Sequence, residues 1–417
     1  MGSMIHLSVG RLEIDWGKNS GFTDHSGLFQ AADVTDVPYY YAGSEYVDAA
    51  GKQEWKIRVE KKEGLSKKLS EVSERIELLG YTLNTCRQEF MSLADLNDFD
   101  SEVFRFDELH KALATVDVSA IALDYGDGDE DFGEFFREQI FPKLGMEMLP
   151  ADDARRTLYN AAEGMENLSS HSVLRLLADN PNAADLPVIW TYKDVEDGGW
   201  AKHGEFVQPL QPPNKFLIVA EGSSDAAILL HAFRLLRPHI ADFFSFVDME
   251  EGYPFSGTGN LYKFVQGLIS IGVQNNAIIL FDNDAEGVFG HERCRRLNVP
   301  GNMRILRLPD IESFRQFKTI GPGGEHTSDI NGKAAAIECY LDFGDQGVVK
   351  WNNFNEGAKT YQGELVGKDR HKNQFLGQKS RAIGYDYSKI ESVLDLIVTN
   401  CVAISEAQQI EYLETHF

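Results

Sequence analysis

Two short stretches carry the residue types that could do chemistry. The first is Lys215-Phe-Leu-Ile-Val-Ala-Glu221-Gly222-Ser223-Ser224-Asp225. The second, some sixty residues on, is Ala277-Ile-Ile-Leu-Phe-Asp282-Asn283-Asp284-Ala285-Glu286-Gly287. Each is an apolar run that ends abruptly in carboxylates, then a small residue, then a helical pattern. Crowded carboxylates repel and favour protonation unless a hard cation neutralises them. Oxygen-only donors of this kind suit Mg2+ or Mn2+. One or two such ions could bridge a scissile phosphate, activating water and steadying the leaving oxygen.

The positioning elements follow from the pattern. Runs of five or six apolar residues read as buried strands, and in an open α/β sheet chemistry sits beyond the carboxyl ends of the strands. Glu221 and Asp225 are four residues apart, so a helix opening near Ser223 or Ser224, with one of these as N-cap, turns both towards one cleft. Asp282 and Asp284 are two apart, which sets them on one side with Asn283 pointing elsewhere. Gly287 permits close approach. Between and beyond these runs, strands expected at 216–220, 243–248, 277–281 and 303–308 alternate with helices at 224–236, 261–271 and 286–297. A glycine-rich turn, Ser256-Gly-Thr-Gly-Asn260, opens the second helix. The alternation implies a parallel sheet. Residues 320–331 read as a mobile loop and Gly332–Leu341 as a helix carrying Lys333 and Glu338. Trp351–Phe375, polar and holding Lys359, Lys368, Arg370, His371 and Lys372, is the locally basic stretch near these acids and is placed to contact phosphate. Two further helices are expected over 385–416.

The segment E-G-x-x-D after one strand and D-x-D after a later one, in this order at strand ends, resembles the signature of the Toprim fold over roughly residues 212–345. That fold is shared by topoisomerases, bacterial primases, RNA-maturation nucleases and the OLD-type nucleases of phage defence. The flanking regions are similar to bacterial HEPN/Toprim-associated proteins. The resemblance implies an α/β Toprim domain, a parallel sheet flanked by helices, with an α-rich α+β N-terminal domain and a helical C-terminal tail. It implies that Glu221 is the general acid/base or first metal ligand and that Asp225, Asp282 and Asp284 bind Mg2+ or Mn2+. Glu286 or Glu338 completes the shell, and Lys333 or Lys368 neutralises charge in the transition state.

Within the Toprim families, several chemistries lack their parts here. A topoisomerase needs a DNA-gate domain for which 417 residues leave no room. A primase wants a zinc module, and Cys86, Cys294, Cys339 and Cys401 have no C-x-x-C spacing. No G-x-x-x-x-G-K-[ST] marks the ATPase part of an OLD nuclease. The expectation is a metal-dependent endonuclease or nicking enzyme on DNA or RNA, with the antiphage or toxin-like role implied by the resemblance alone. Two other readings stand beside it: a sensor or partner subunit with a vestigial site, and a metal-independent ribonuclease at Arg105-Phe-Asp-Glu-Leu-His110. HEPN ribonucleases carry R-x4–6-H on a helix, but the same spacing recurs at Arg234–His239 and is cheap.

Composition bounds the rest. Hydrophobic content of 43% and aromatic content of 11% belong to a packed globular chain. No apolar run reaches the ~20 residues that span a bilayer, and no signal peptide is expected. Scattered cysteines suggest a reducing cytoplasm. The net charge of −25 counts against wholesale binding of a phosphate backbone, and suggests that nucleic acid is met in a homodimer groove or with a regulatory partner protein. The expected divisions are an N-terminal domain at 1–207, a linker at 208–214 with Pro209, Pro212 and Pro213, the Toprim domain at 215–345 and a C-terminal extension at 346–417. In the N-terminal part, alternation over 5–16 predicts a strand or hairpin, and Tyr39–Tyr41 and 55–59 read as strands. Helices are expected at 64–79, 85–96, 101–114, 132–144, 152–163 and 169–179, and a strand at 186–192. Asp127, Asp129, Asp131 and Glu138 have EF-hand spacing, but Phe132 stands where the turn demands glycine, so the stretch reads as a solvated acidic loop.

Overall fold

The computed structural model describes residues 2–41, 45–47, 53–55, 57–121, 135–145, 153–247 and 257–416. The acidic loop at 124–134 lies outside them. The chain forms two compact units, Met1–Pro209 with Ser405–Phe417, and Leu210–Ile404.

In the first unit, β1 (Met4–Val9) and β2 (Leu12–Lys18) form a hairpin turned at Gly10, whose φ is +59. They join β3 (Val34–Tyr41), β6 (Arg58–Lys68) and β7 (Pro187–Trp190) in an antiparallel sheet of order β2-β1-β7-β6-β3. A small separate ribbon pairs β4 (Glu45–Val47) with β5 (Gln53–Trp55). Helices α1 (Leu69–Leu78), α2 (Leu83–Leu96), α3 (Phe106–Leu113), α4 (Asp153–Glu166) and α5 (Ser170–Ala178) supply the rest of the core. Val72, Ile76, Phe90, Leu93, Leu109 and Leu174 are fully buried there. The helices expected at 64–79 and 101–114 are shorter, and the described part of 132–144 is not an α-helix. Residues 64–68 stay in the sheet because Leu65 pairs with Trp190, and buried Lys67 binds Asp33 at 2.9 Å. Between 135 and 145 the chain makes a π turn over Phe136–Ile140 and a 3-10 turn over Pro142–Leu144, since Pro142 cannot continue an α-helix. Two short helices follow β7: α6 (Lys193–Asp197) and α7 (His203–Phe206).

The second unit is built on a parallel sheet. Strand β8 (Phe216–Ala220) lies between β9 (Phe244–Phe246) and β10 (Asn276–Phe281), and β12 (Met303–Arg307) follows β10, in the order β12-β10-β8-β9. Every residue of β10 is buried, as expected of a strand covered on both faces. Helices α8 (Ser223–Leu236), α9 (Thr258–Ile271) and α10 (Ala285–Cys294) connect these strands or follow them. A second sheet, β14-β13-β16-β17, comprises β13 (Phe317–Gly321), β14 (Gly324–Ser328), β16 (Val349–Asn355) and β17 (Thr360–Leu365). Then come α11 (Lys368–Leu376) and α12 (Ser388–His416).

Three expectations for this unit are corrected. The loop at 320–331 is largely a hairpin, with Pro322 and Gly323 at the turn and Gly324 at φ +102. The helix at 332–341 is instead a short strand, β15 (Ala334–Ala335), and a 3-10 turn over Ile337–Tyr340. The basic stretch at 351–375, for which no element is expected, is largely a β-hairpin leading into α11. The tail holds one helix of 29 residues rather than two.

Candidate functional site: acids gathered at strand ends

The register of the parallel sheet sets the site. Ala220 pairs with Leu280 across β8 and β10, so the next residues out, Glu221 on one strand and Asp282 just past the other, leave neighbouring strand ends. The backbone N–H of Asp282 donates to Glu221 Oε1 at 3.3 Å. Thr258, the first residue of α9, donates from Oγ1 to Glu221 Oε2 at 2.9 Å. Glu221 is thereby held from two elements besides its own strand.

Beyond β10 the chain makes two extended residues, β11 (Asn283–Asp284), which pair antiparallel with β15. That pairing requires 334–335 to be extended, and it brings the following turn inwards. The N–H of Ile337 donates to Asp282 Oδ1 at 3.1 Å. Asn283 points away from the acids, as the i, i+2 spacing predicts, and is fully buried. Its amide donates to Asp310 Oδ1 at 3.0 Å, and its carbonyl oxygen accepts from Gly332 N at 2.7 Å and from the Arg307 guanidinium. Asp284 is the N-cap of α10 and accepts from Gly287 N at 2.7 Å, while Gln362 of β17 donates to its other oxygen at 3.5 Å. Gly287 lies so close to Asp282 that a Cβ would collide with the Asp282 carbonyl.

Asp225 is buried in the first turn of α8 and accepts from Gly222 N at 3.0 Å. Gly222, not Ser223 or Ser224, is the N-cap. Ser224 donates instead to Glu338 Oε1 at 3.1 Å, which ties the buried Glu338 carboxylate to α8.

The electrostatics follow from crowding without compensation. Among the described residues, none of Glu221, Asp225, Asp282 and Asp284 forms an ion pair. Burial, then Asp284 and Asp225, push Glu221 up to about 8. Burial and then Glu338 push Asp225 up to about 7, against a weak opposing pull from the Lys368 ammonium. Asp282 rises well above the carboxylate range through burial and the surrounding acids, and burial also raises Asp284.

The remaining sequence candidates are placed less centrally. Glu286 is exposed, and Asp284 feels its charge. Lys333 is tied to the site through its backbone: its carbonyl accepts from Ala285 N at 3.4 Å. Lys368 opens α11 and also lies 3.7 Å from Glu364. At the R-x4-H motif, Arg105 is bound to Glu108 at 2.6 Å and His110 to Asp179 at 2.8 Å. Three residues of the arrangement, Thr258, Arg307 and Gln362, had no role in the sequence reading. The glycine-rich turn around Thr258 was the one available signal.

Chemically, the arrangement offers carboxylate oxygens only, several of them desolvated and raised towards neutral pH. These acids raise one another's pKa, but no three of them bring oxygens all within 4.8 Å of one another. Among the described residues, the one trio of His, Cys, Asp or Glu ligand atoms that all lie within 4.8 Å of one another is elsewhere, at Glu63, Glu196 and His203.

Residues 1–213, just over half of the 417-residue chain, match the model of a family described as HEPN/Toprim N-terminal domain 1. Searches of curated proteins and of solved structures returned no match. No helix among the described residues is long and apolar enough to cross a membrane.

Proposed function

Because the chain belongs to the HEPN/Toprim N-terminal domain family, we propose that it is a divalent-metal-dependent nuclease whose chemistry lies in a Toprim-like second unit. The family description hints at a nuclease-associated role. The observation that carries the proposal is the gathering of Glu221, Asp225, Asp282, Asp284 and Glu338 around the ends of adjacent parallel strands, Asp225 and Glu338 buried and the other three half-buried, with no cation paired to the first four among the described residues. Such a set is costly unless protonated or neutralised, and its donors are those a hard cation takes.

In this reading Asp225, Asp282 and Asp284 hold Mg2+ or Mn2+, Glu338 completes the acidic shell, and Glu221 is either a further ligand or the general acid/base. When bound, the ion supplies charge neutralisation and water activation at a phosphodiester. Glu221, raised into the neutral range in the metal-free protein, is the group that would exchange a proton with the attacking water or the leaving oxygen where it is not itself a ligand. Thr258 and the Asp282 N–H fix its two oxygens for that task. In the same reading Lys368 or Lys333 balances phosphate charge. Glu286, exposed beside Asp284, is an outer member of the set. The substrate is DNA or RNA; an antiphage role completes the proposal on the strength of the resemblance, a cytoplasmic setting on the scattered cysteines, and a homodimer or a regulatory partner on the net charge of −25. Incubation with plasmid, linear duplex, single strands and bulk tRNA in Mg2+, Mn2+ or EDTA tests it. Cleavage that requires a divalent cation is the expected result; an absence of cleavage on every substrate counts against it.

A further inference from the structure

Within the first unit, β6, α6 and α7 bring together three potential ligands that are far apart in sequence. Glu63 leaves β6, Glu196 lies on α6, and His203 opens α7. One ligand atom from each lies within 4.8 Å of the other two. His203 Nδ1 is 3.5 Å from Glu63 Oε1 and 3.6 Å from Glu196 Oε2. We propose that Glu63, Glu196 and His203 form a binding site for a first-row transition ion of the Zn2+ type, distinct from the hard-cation site proposed for the strand-end acids.

Three features go beyond a chance meeting of acids. A histidine nitrogen sits among the donors, and imidazole with carboxylate is a set that Zn2+ accepts whereas Mg2+ favours oxygen alone. The Tyr192 side chain is fully buried, and its phenol donates to Glu63 Oε1 at 2.9 Å. A ligating carboxylate is commonly oriented by such an outer hydrogen bond. The Tyr192 ring also meets His203 edge-on at 5.9 Å, which sets the imidazole's direction. Finally, Glu205 accepts from Lys202 N at 2.9 Å, closing the first turn of α7 and fixing the backbone that carries His203. The donors number three and His203 is exposed, so the fourth position of a tetrahedral ion would face water.

Lys193 is the competitor. Its ammonium lies 3.0 Å from Glu196 Oε2 and 3.5 Å from Asp197 Oδ1. It partly neutralises Glu196 now, and it has Asp197 to turn to when a cation arrives. The scattered cysteines argue against a thiolate zinc site and leave a histidine–carboxylate site untouched.

The test is calorimetric titration of the EDTA-stripped, dialysed full chain with Zn2+, with Co2+ absorption as a second readout. The expected result is one equivalent that binds to the wild type and to Asp282→Ala/Asp284→Ala alike. His203→Ala and Glu196→Gln should each weaken it by 10-fold or more, and Tyr192→Phe by several-fold. Lys193→Ala should tighten it. Far-ultraviolet circular dichroism checks that each variant is folded, and Glu196→Gln serves if His203→Ala is not. A wild type that takes up no Zn2+, or an equivalent unchanged by His203→Ala and Glu196→Gln, overturns the proposal. An equivalent lost in Asp282→Ala/Asp284→Ala instead would assign the Zn2+ to the strand-end acids and also overturn it. The proposed nuclease reading stands or falls separately, on cleavage.

Discussion

The Thr258 hydroxyl donates to Glu221 Oε2 at 2.9 Å, across 37 residues of sequence. A hydrogen bond to the ionised form stabilises it, so Thr258 works against the burial and neighbouring charge that raise Glu221. Thr258→Val keeps the shape and removes the donor. The Glu221 pKa should then climb, and a pH–rate profile that needs ionised Glu221 should move its acidic limb to higher pH. Cleavage at pH 7 should fall about 10-fold, in line with the loss of one hydrogen bond to a charged group. A profile that does not move would mean that Glu221 is not the titrating group.

Asn283 is the internal support of the D-x-D segment. It joins Asp310, Gly332 and Arg307, and no solvent reaches it. Asn283→Ala strands the Gly332 N–H and removes one acceptor from the Arg307 guanidinium, which keeps Asp310 at 3.2 Å. The expected cost is about 2–4 kcal/mol, the range for breaking a buried polar network. Urea denaturation measures it. A loss under about 0.5 kcal/mol, within what ordinary surface substitutions give, would show that the network is dispensable.

Both the reach and the limits of the sequence are visible around these two residues. Continuous apolar runs that stop at an acid announced β8 and β10, because a strand covered on both faces has no polar position until it ends. The two-residue period separated Asn283 from its acidic neighbours. Residues 332–341 were misread as a helix: three consecutive alanines favour one, but pairing of Ala334–Ala335 with Asn283–Asp284 holds the chain extended. That pairing spans some fifty residues, and local propensity carries no trace of it. Gln362 and the Glu63–Glu196–His203 trio leave no local trace for the same reason, and the glycine-rich turn marks Thr258 without its partner, since each contact depends on elements distant in sequence.

The raised acids make a statement about stability. Glu221 rises from 4.5 to about 8 and Asp225 from 3.8 to about 7. A group whose pKa is higher folded than unfolded binds its proton more tightly when folded. Its contribution is complete below the unfolded value and is lost as pH climbs through the folded one. The metal-free protein should therefore melt several degrees lower at pH 8.5 than at pH 6, and 10-mM-scale Mg2+ should narrow the gap by binding the folded state. Asp282→Asn removes one of the repelling charges and should flatten the metal-free profile. Thermal melts of both proteins with EDTA test this; a wild-type melting temperature that is level or rising from pH 6 to 8.5, matched by Asp282→Asn, would refute it.

The most direct test of the central claim compares the wild type with Asp282→Ala/Asp284→Ala for cleavage of plasmid, single-stranded DNA and tRNA in Mg2+ and in EDTA. The account predicts cleavage by the wild type in Mg2+, its abolition by EDTA, and a fall of at least 100-fold in the double variant, the scale expected when a metal's ligands are removed from its site. Cleavage that persists in EDTA and in the double variant would contradict the account and place the chemistry outside the strand-end acids.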